Sequence, residues 1–158
     1  MAKITRNTAT HRQFGSAPYG NLSVLAYRIQ TNASGAVINS DSTAAVAIGD
    51  VIDMGTIPAG MRLDDFVASV STGMSASVTG KLGFAYADGV DSAVVPQDDA
   101  YFGTGLNLNT AAILRNASAK VPVVLPKEAR LILTTAGAAN AKVSQIDIRL
   151  YGEMTGPK

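Results

Sequence analysis

Apolar and polar residues alternate with a period of two along much of this chain, in runs too short for ordinary helices. Leu25, Tyr27 and Ile29 fall on one face and Arg28 on the other. Phe66, Ala68 and Val70 stand opposite Asp65, Val67 and Ser69, and Val78, Leu82, Phe84 and Tyr86 opposite Thr79, Lys81, Gly83 and Ala85. The clearest case is Ile146, Ile148 and Leu150 against Gln145, Asp147, Arg149 and Tyr151. Such alternation is that of a strand with one face in a core and one in water. Gly80 falls at an inward position of its run, where a bulge or a close backbone approach is expected. Val37-Ile38, Ala45 to Ile48 and Val51 to Ile57 are further apolar runs, separated by Asn39-Ser40-Asp41 and Gly49-Asp50, and Thr31 to Gly35 reads as a turn. Only Asn109 to Ala119 invites a helix, and that a short one.

Two segments share a template. Ile57-Pro58-Ala59-Gly60-Met61-Arg62-Leu63 and Leu125-Pro126-Lys127-Glu128-Ala129-Arg130-Leu131 both run branched aliphatic, Pro, three residues, Arg, Leu. They read either as equivalent corners or as two unrelated turns, and both readings place a strand on each side. Many short strands punctuated by Gly and Pro predict an all-β fold, a jelly-roll-like β-sandwich. Residues 1–20 lack either periodicity and contain Gly15, Pro18 and Gly20, so the expected organisation is an extended N-terminal arm over 1–20 and a sandwich domain over 21–158. The arm either dangles or lies along a neighbour, and Phe14 and Tyr19 suit the second, as anchors.

Charge sharpens that division. Residues 1–40 hold Lys3, Arg6, Arg12 and Arg28 without a carboxylate, giving +4, while the rest of the chain carries −3. The total of +1, with charged residues at only 16%, gives no chain-wide basic field, so nucleic acid is not an expected partner. The longest runs free of charge are 15 residues, as at 66–80, too short to span a bilayer, so no membrane partner is expected. The start lacks an apolar secretory run, from which synthesis in a cytoplasm is expected.

Composition also narrows the chemistry. Cysteine is absent, which removes disulfides, thiol nucleophiles and thiolate metal sites, and the single histidine, His11, lies in the arm. No enzyme activity, catalytic residue, metal or cofactor is expected. Asp64-Asp65 stand at a strand start, where neighbours point to opposite faces and do not converge. Asp88, Asp91, Asp98 and Asp99 lie in a stretch from Ala87 to Ala100 without Lys or Arg, but without calcium-loop spacing, so an exposed acidic loop is expected. Gly73, Gly80, Gly103 and Gly105 form no phosphate motif and read as turn glycines. Outward positions are dominated by small and hydroxylated residues, which suits faces that pack in a symmetric assembly.

The run Asp53-Met54-Gly55-Thr56-Ile57-Pro58-Ala59-Gly60-Met61-Arg62-Leu63, followed by Val67 to Thr72, Leu82-Gly83-Phe84 and a closing amphipathic strand, resembles tailed-bacteriophage head decoration (cement) proteins over residues 45–152. The resemblance implies a jelly-roll or β-sandwich that forms a homotrimer, sits on the outside of the virion and cements neighbouring major capsid protein subunits, after synthesis in the host bacterial cytoplasm. It also implies a capsid-binding arm, in which Lys3, Arg6 and Arg12 pair with acidic capsid surface while Phe14 and Tyr19 anchor it. The alternative is a carbohydrate- or receptor-binding β-sandwich, for which the absence of Trp is a mark against.

Overall fold

The computed structural model describes residues 1–5 and 21–155 of the 158-residue chain. Ten strands form two sheets. They are β1 (Lys3–Thr5), β2 (Leu22–Thr31), β3 (Val51–Ile57), β4 (Met61–Thr72), β5 (Thr79–Tyr86), β6 (Asp98–Asn107), β7 (Ala112–Arg115), β8 (Val123–Val124), β9 (Ala129–Ala136) and β10 (Ser144–Met154). The first sheet has the order β1-β3-β9-β5-β6 and the second β2-β10-β4-β7, with β8 beside β4.

This order is that of one antiparallel ribbon rolled into a sandwich. β2 pairs with β10, β3 with β9, β4 with β7 and β8, and β5 with β6, so the outermost strands in sequence pair first and the innermost last. That nesting is the jelly roll, and the expected fold class is observed. It also explains the repeated template. Ile57, Thr56 and Gly55 pair with Ala129, Arg130 and Leu131 in the first sheet, and Arg62 and Leu63 with Val124 and Val123 in the second. Between them Gly60 N–H donates to the Leu125 carbonyl at 2.8 Å and Leu125 N–H to that of Met61 at 2.9 Å. The two Pro segments are therefore equivalent corners, where both strands of the ribbon leave one sheet and enter the other without losing their pairing.

The alternating runs bury the faces expected of them. Leu25, Tyr27 and Ile29, Phe66, Ala68 and Val70, and Ile146, Ile148 and Leu150 all lie in the core. Phe66, Phe102, Tyr101, Phe84 and Tyr86 form a chain of edge-to-face rings with centroids 4.9–5.8 Å apart, a geometry suited to ring quadrupoles. Gly80 meets the first expectation, a bulge, while the groups crowding it are side chains and not backbone. The β5–β6 register shifts beside it, and a Cβ there would stand 2.9 Å from the Leu108 side chain.

Three expectations are corrected. Ala112–Arg115, within the segment read as a helix, is strand β7, because its edge pairs with Val67 to Val70 and tertiary pairing overrides a weak local preference. Gly80, Gly103 and Gly105 are not turn glycines: Gly80 lies inside β5, and Gly103 and Gly105 inside β6 with φ of 142° and 65°. Lys3–Thr5, read as irregular, form a parallel strand beside β3, with Ile4 in the core. Of the other apolar runs, Val37 and Ala45 make only isolated bridges, whereas Val51–Ile57 is a full strand.

Candidate interaction surfaces

The ribbon gives the sandwich two unlike ends. One holds the loops 32–50, 73–78, 108–111 and 137–143 and is tied shut by Asn140, whose side chain is buried. The Asn140 amide donates to Thr31 Oγ1 (3.1 Å) and to the carbonyls of Gly35 (3.4 Å) and Lys142 (2.9 Å), and its oxygen accepts from Ser75 N–H (3.0 Å) and Ser75 Oγ (3.3 Å).

The other end carries the two corners and the loops 87–97 and 116–122. Both loops are pinned from below by phenols, since Tyr86 donates to the Val95 carbonyl and Tyr101 to that of Val121 at 2.8 Å. Burial pushes both phenols above their ordinary pKa, so they remain donors at any physiological pH. Between the loops opens a cleft of about 300 Å³, floored by Phe84 and Tyr101 and walled by Val95, Pro96 and Val123. Val94 and Val121 stand exposed on it, Val94 at 83%, and Val90 is exposed in the same loop as Val94. The acidic character expected of this segment is mostly cancelled: Asp88 meets Lys127, Asp98 meets Lys120 and Asp99 meets Lys81. The Lys127 contact and a backbone N–H hold Asp88 below its ordinary pKa, and for Asp98 burial acts to raise the pKa but the Lys120 contact and the Ala100 N–H together outweigh it. Glu128 alone among the described carboxylates has neither an ion pair nor a hydrogen bond.

The outer face of the second sheet is the other open surface. Ala26, Arg149, Val67 and Arg115 form one row across β2, β10, β4 and β7, and Arg28, Asp147, Ser69 and Ile113 the next. Leu22, Val24 and Ile113 are exposed at 66%, 47% and 68%. Asp64 and Asp65, expected to diverge, both line a shallow hollow here, because the register of β4 against β10 shifts between Tyr151 and Gly152 and leaves Asp64 as the extra residue of a bulge. They are not poised as an acid/base pair. Arg62 clamps Asp64 at 2.7 Å, and the Asp65 carboxylate accepts the Phe66 N–H.

Of the expected arm residues, Lys3 lies on β1, where its Nζ is 3.3 Å from the Asp53 carboxylate while the rest of the side chain stays 62% exposed. Arg6, Arg12, Phe14, Tyr19 and His11 lie outside the described residues. Sequence reasoning missed Arg115 and Arg149 as interaction candidates. Arg149 stood on the polar face of a recognised strand, whereas Arg115 was hidden in a segment read as helix. Among the described residues no three acids or imidazoles gather as metal ligands.

No family model matches this sequence, and no curated protein matches it either. Similarity appears in the solved structures. A chain from the capsid of Ralstonia phage GP4 superposes with a TM-score of 0.67 at 15% identity, covering 99% of this chain and 100% of that one. A chain from the cyanophage Pam1 capsid asymmetric unit gives 0.57 at 11% identity over 92% and 94% of the two chains. One from the acidic stable capsid of Helicobacter pylori bacteriophage KHP30 gives 0.50 at 12% identity over 85% and 90%. The jelly-roll sandwich of this chain is thus a fold found, end to end, in chains of bacteriophage capsids.

Proposed function

We propose that this chain is a structural virion protein that binds the outer surface of a bacteriophage capsid and cements neighbouring major capsid protein subunits. The observation that carries the reading is the end-to-end superposition on a capsid chain, in which neither chain has a domain left over. A protein of similar size and the same fold suits a mechanical role. In this reading the chain acts as a homotrimer located on the virion, made in the host bacterial cytoplasm, and it needs no enzyme activity. Several modest contacts made at once raise the effective concentration of each, which holds a shell without one strong site.

The N-terminal segment, residues 1–20, of which Lys3–Thr5 form β1 in the first sheet, supplies part of those contacts. Arg6 and Arg12 pair with carboxylates of the capsid surface, Lys3 reaches outward from Asp53, and Phe14 and Tyr19 anchor the segment. The test is co-sedimentation of the purified protein with empty heads of the phage that encodes it. Saturable binding at a fixed number of copies per head supports the reading. Protein that stays in the supernatant at micromolar concentration overturns it.

A further inference from the structure

Complementary patches remain unsatisfied on two different surfaces of the chain. Lys3, Arg28, Arg62, Lys81, Lys120, Lys127 and Arg130 each reach a carboxylate of their own chain. Among the described residues only Arg115, Lys142 and Arg149 do not, and two of these stand in one row on the outer face of the second sheet. They are separated by the single strand that carries Val67, hence by about 10 Å from backbone to backbone. Exposed Leu22 and Ile113 flank them on the same face. The corner end presents the opposite set: Glu128 without a partner, Asp91 exposed and engaged only by backbone N–H groups, and an open apolar cleft lined in part by exposed Val94 and Val121.

We propose that the outer face of the second sheet is the seat for the corner end of a second copy of this chain. The Arg115 and Arg149 guanidiniums meet Glu128 and Asp91 of the neighbour, and an exposed aliphatic side chain, Leu22 or Ile113, enters its apolar cleft. Arginine with large apolar side chains at the centre of a patch is the composition of an interface core. One surface is a sheet face and the other a strand-end surface, so the contact is head-to-tail. A contact of that kind generates a ring where its rotation closes, here at three copies. The proposal rests on the oligomer in the reading above and names its interface.

The experiment is solution mass by light scattering on the full chain. Wild type is expected at about three times the 16.3 kDa of one chain. R115E/R149E changes only exposed side chains without internal ion pairs, and V94K/E128K does the same at the other patch. Each is expected to weaken association about 100-fold or more while leaving the circular dichroism of the folded chain unchanged. The four changes combined set new carboxylates on the sheet face against new ammonium groups on the corner end, with Asp91 left as the one like charge, and are expected to recover part of the association lost in either double variant. A wild-type mass of one chain, or a wild-type oligomer indifferent to both variants, overturns the interface. Head co-sedimentation of the same samples reports separately: a monomer that still binds heads sinks this inference alone, whereas an oligomer that ignores heads sinks the capsid reading alone.

Discussion

Arg130 donates from Nε to both oxygens of Asp53, at 2.9 and 3.1 Å, and the Asp53 side chain is only 2% exposed. The pair joins β9 to β3 on the outer face of the first sheet, Lys3 adds a second cation from β1, and the Arg130 guanidinium continues to Thr56 Oγ1 at 2.9 Å. A carboxylate this buried is tolerable only while it is compensated. Arg130→Ala is therefore expected to destabilise by about 3 kcal/mol, because it leaves the buried charge with only the largely exposed Lys3 and the Gly55 N–H. Lys3→Ala, which removes a largely exposed partner, is expected to cost no more than about 1 kcal/mol. Denaturant midpoints of the two variants check the difference, and equal losses would refute this division of labour.

How much of this was legible in advance differs by element. Strands whose one face is core and the other water, such as β2, β4 and β10, declare themselves through period two, as Leu25-Tyr27-Ile29 and Ile146-Ile148-Leu150 show. The corners were legible because both strands of the ribbon turn at the same level and meet the same demand for Pro and Arg-Leu. β7 was not, since its Ala112–Arg115 side chains are mostly exposed and its strand identity comes from pairing with β4. Nor was β1, where a single buried residue, Ile4, carries no periodicity. The surfaces were least legible of all: that Arg115 and Arg149 lack partners depends on where seven other cations go.

Asn140 is expected to be the most sensitive polar residue at the closed end. Its five side-chain bonds hold Thr31, Gly35, Lys142 and Ser75, and each buried partner left unsatisfied costs about 1–3 kcal/mol. Gly35 belongs to the same lock. Its φ is +86°, and a Cβ would fall 2.1 Å from the Asn140 carbonyl oxygen. Gly35→Ala should therefore be far worse than Gly49→Ala, where φ is +81° but the space is open and only the backbone penalty of about 1–2 kcal/mol applies. Thermal unfolding of Asn140→Ala, Gly35→Ala and Gly49→Ala should rank Gly49→Ala mildest. Equal midpoints for the two glycine variants would show that the loop yields around the added methyl.

Acid should loosen the molecule through its ion-paired carboxylates. Burial acts to raise the Asp147 pKa, but hydrogen bonds from Arg28 and Gln145 outweigh it and hold the group below the ordinary 3.8. Asp98 is lowered in the same way through Lys120. A carboxyl with a lower pKa when folded contributes stability that is fully present above its unfolded pKa and lost as pH falls through the folded value. Unfolding free energy should thus be level from neutrality down to about pH 5 and decline below about pH 4. Asp147→Asn should flatten part of that decline and leave neutral stability lower than wild type. A decline identical to wild type in this variant would remove Asp147 from the account.

The arm reading makes its sharpest prediction at the boundary between Ile4 and Arg6. Ile4 is 1% exposed and Thr5 exchanges hydrogen bonds with Asp41, its N–H donating to Oδ1 at 2.8 Å and its carbonyl accepting from the Asp41 N–H at 2.9 Å. Deleting residues 1–20 removes core along with arm, so any loss of head binding by that truncation would mix folding with contact. Substitution separates the two. Ile4→Ala is expected to cost about 2–5 kcal/mol and to leave head binding intact wherever the protein remains folded. Replacing Arg6 and Arg12 by Ala and Phe14 and Tyr19 by Ser is expected to leave the unfolding midpoint within about 0.5 kcal/mol of wild type and to weaken head binding at least tenfold, more strongly at low salt, where ion pairs contribute most. Undiminished binding by that four-fold variant would assign the capsid contact to the sandwich itself.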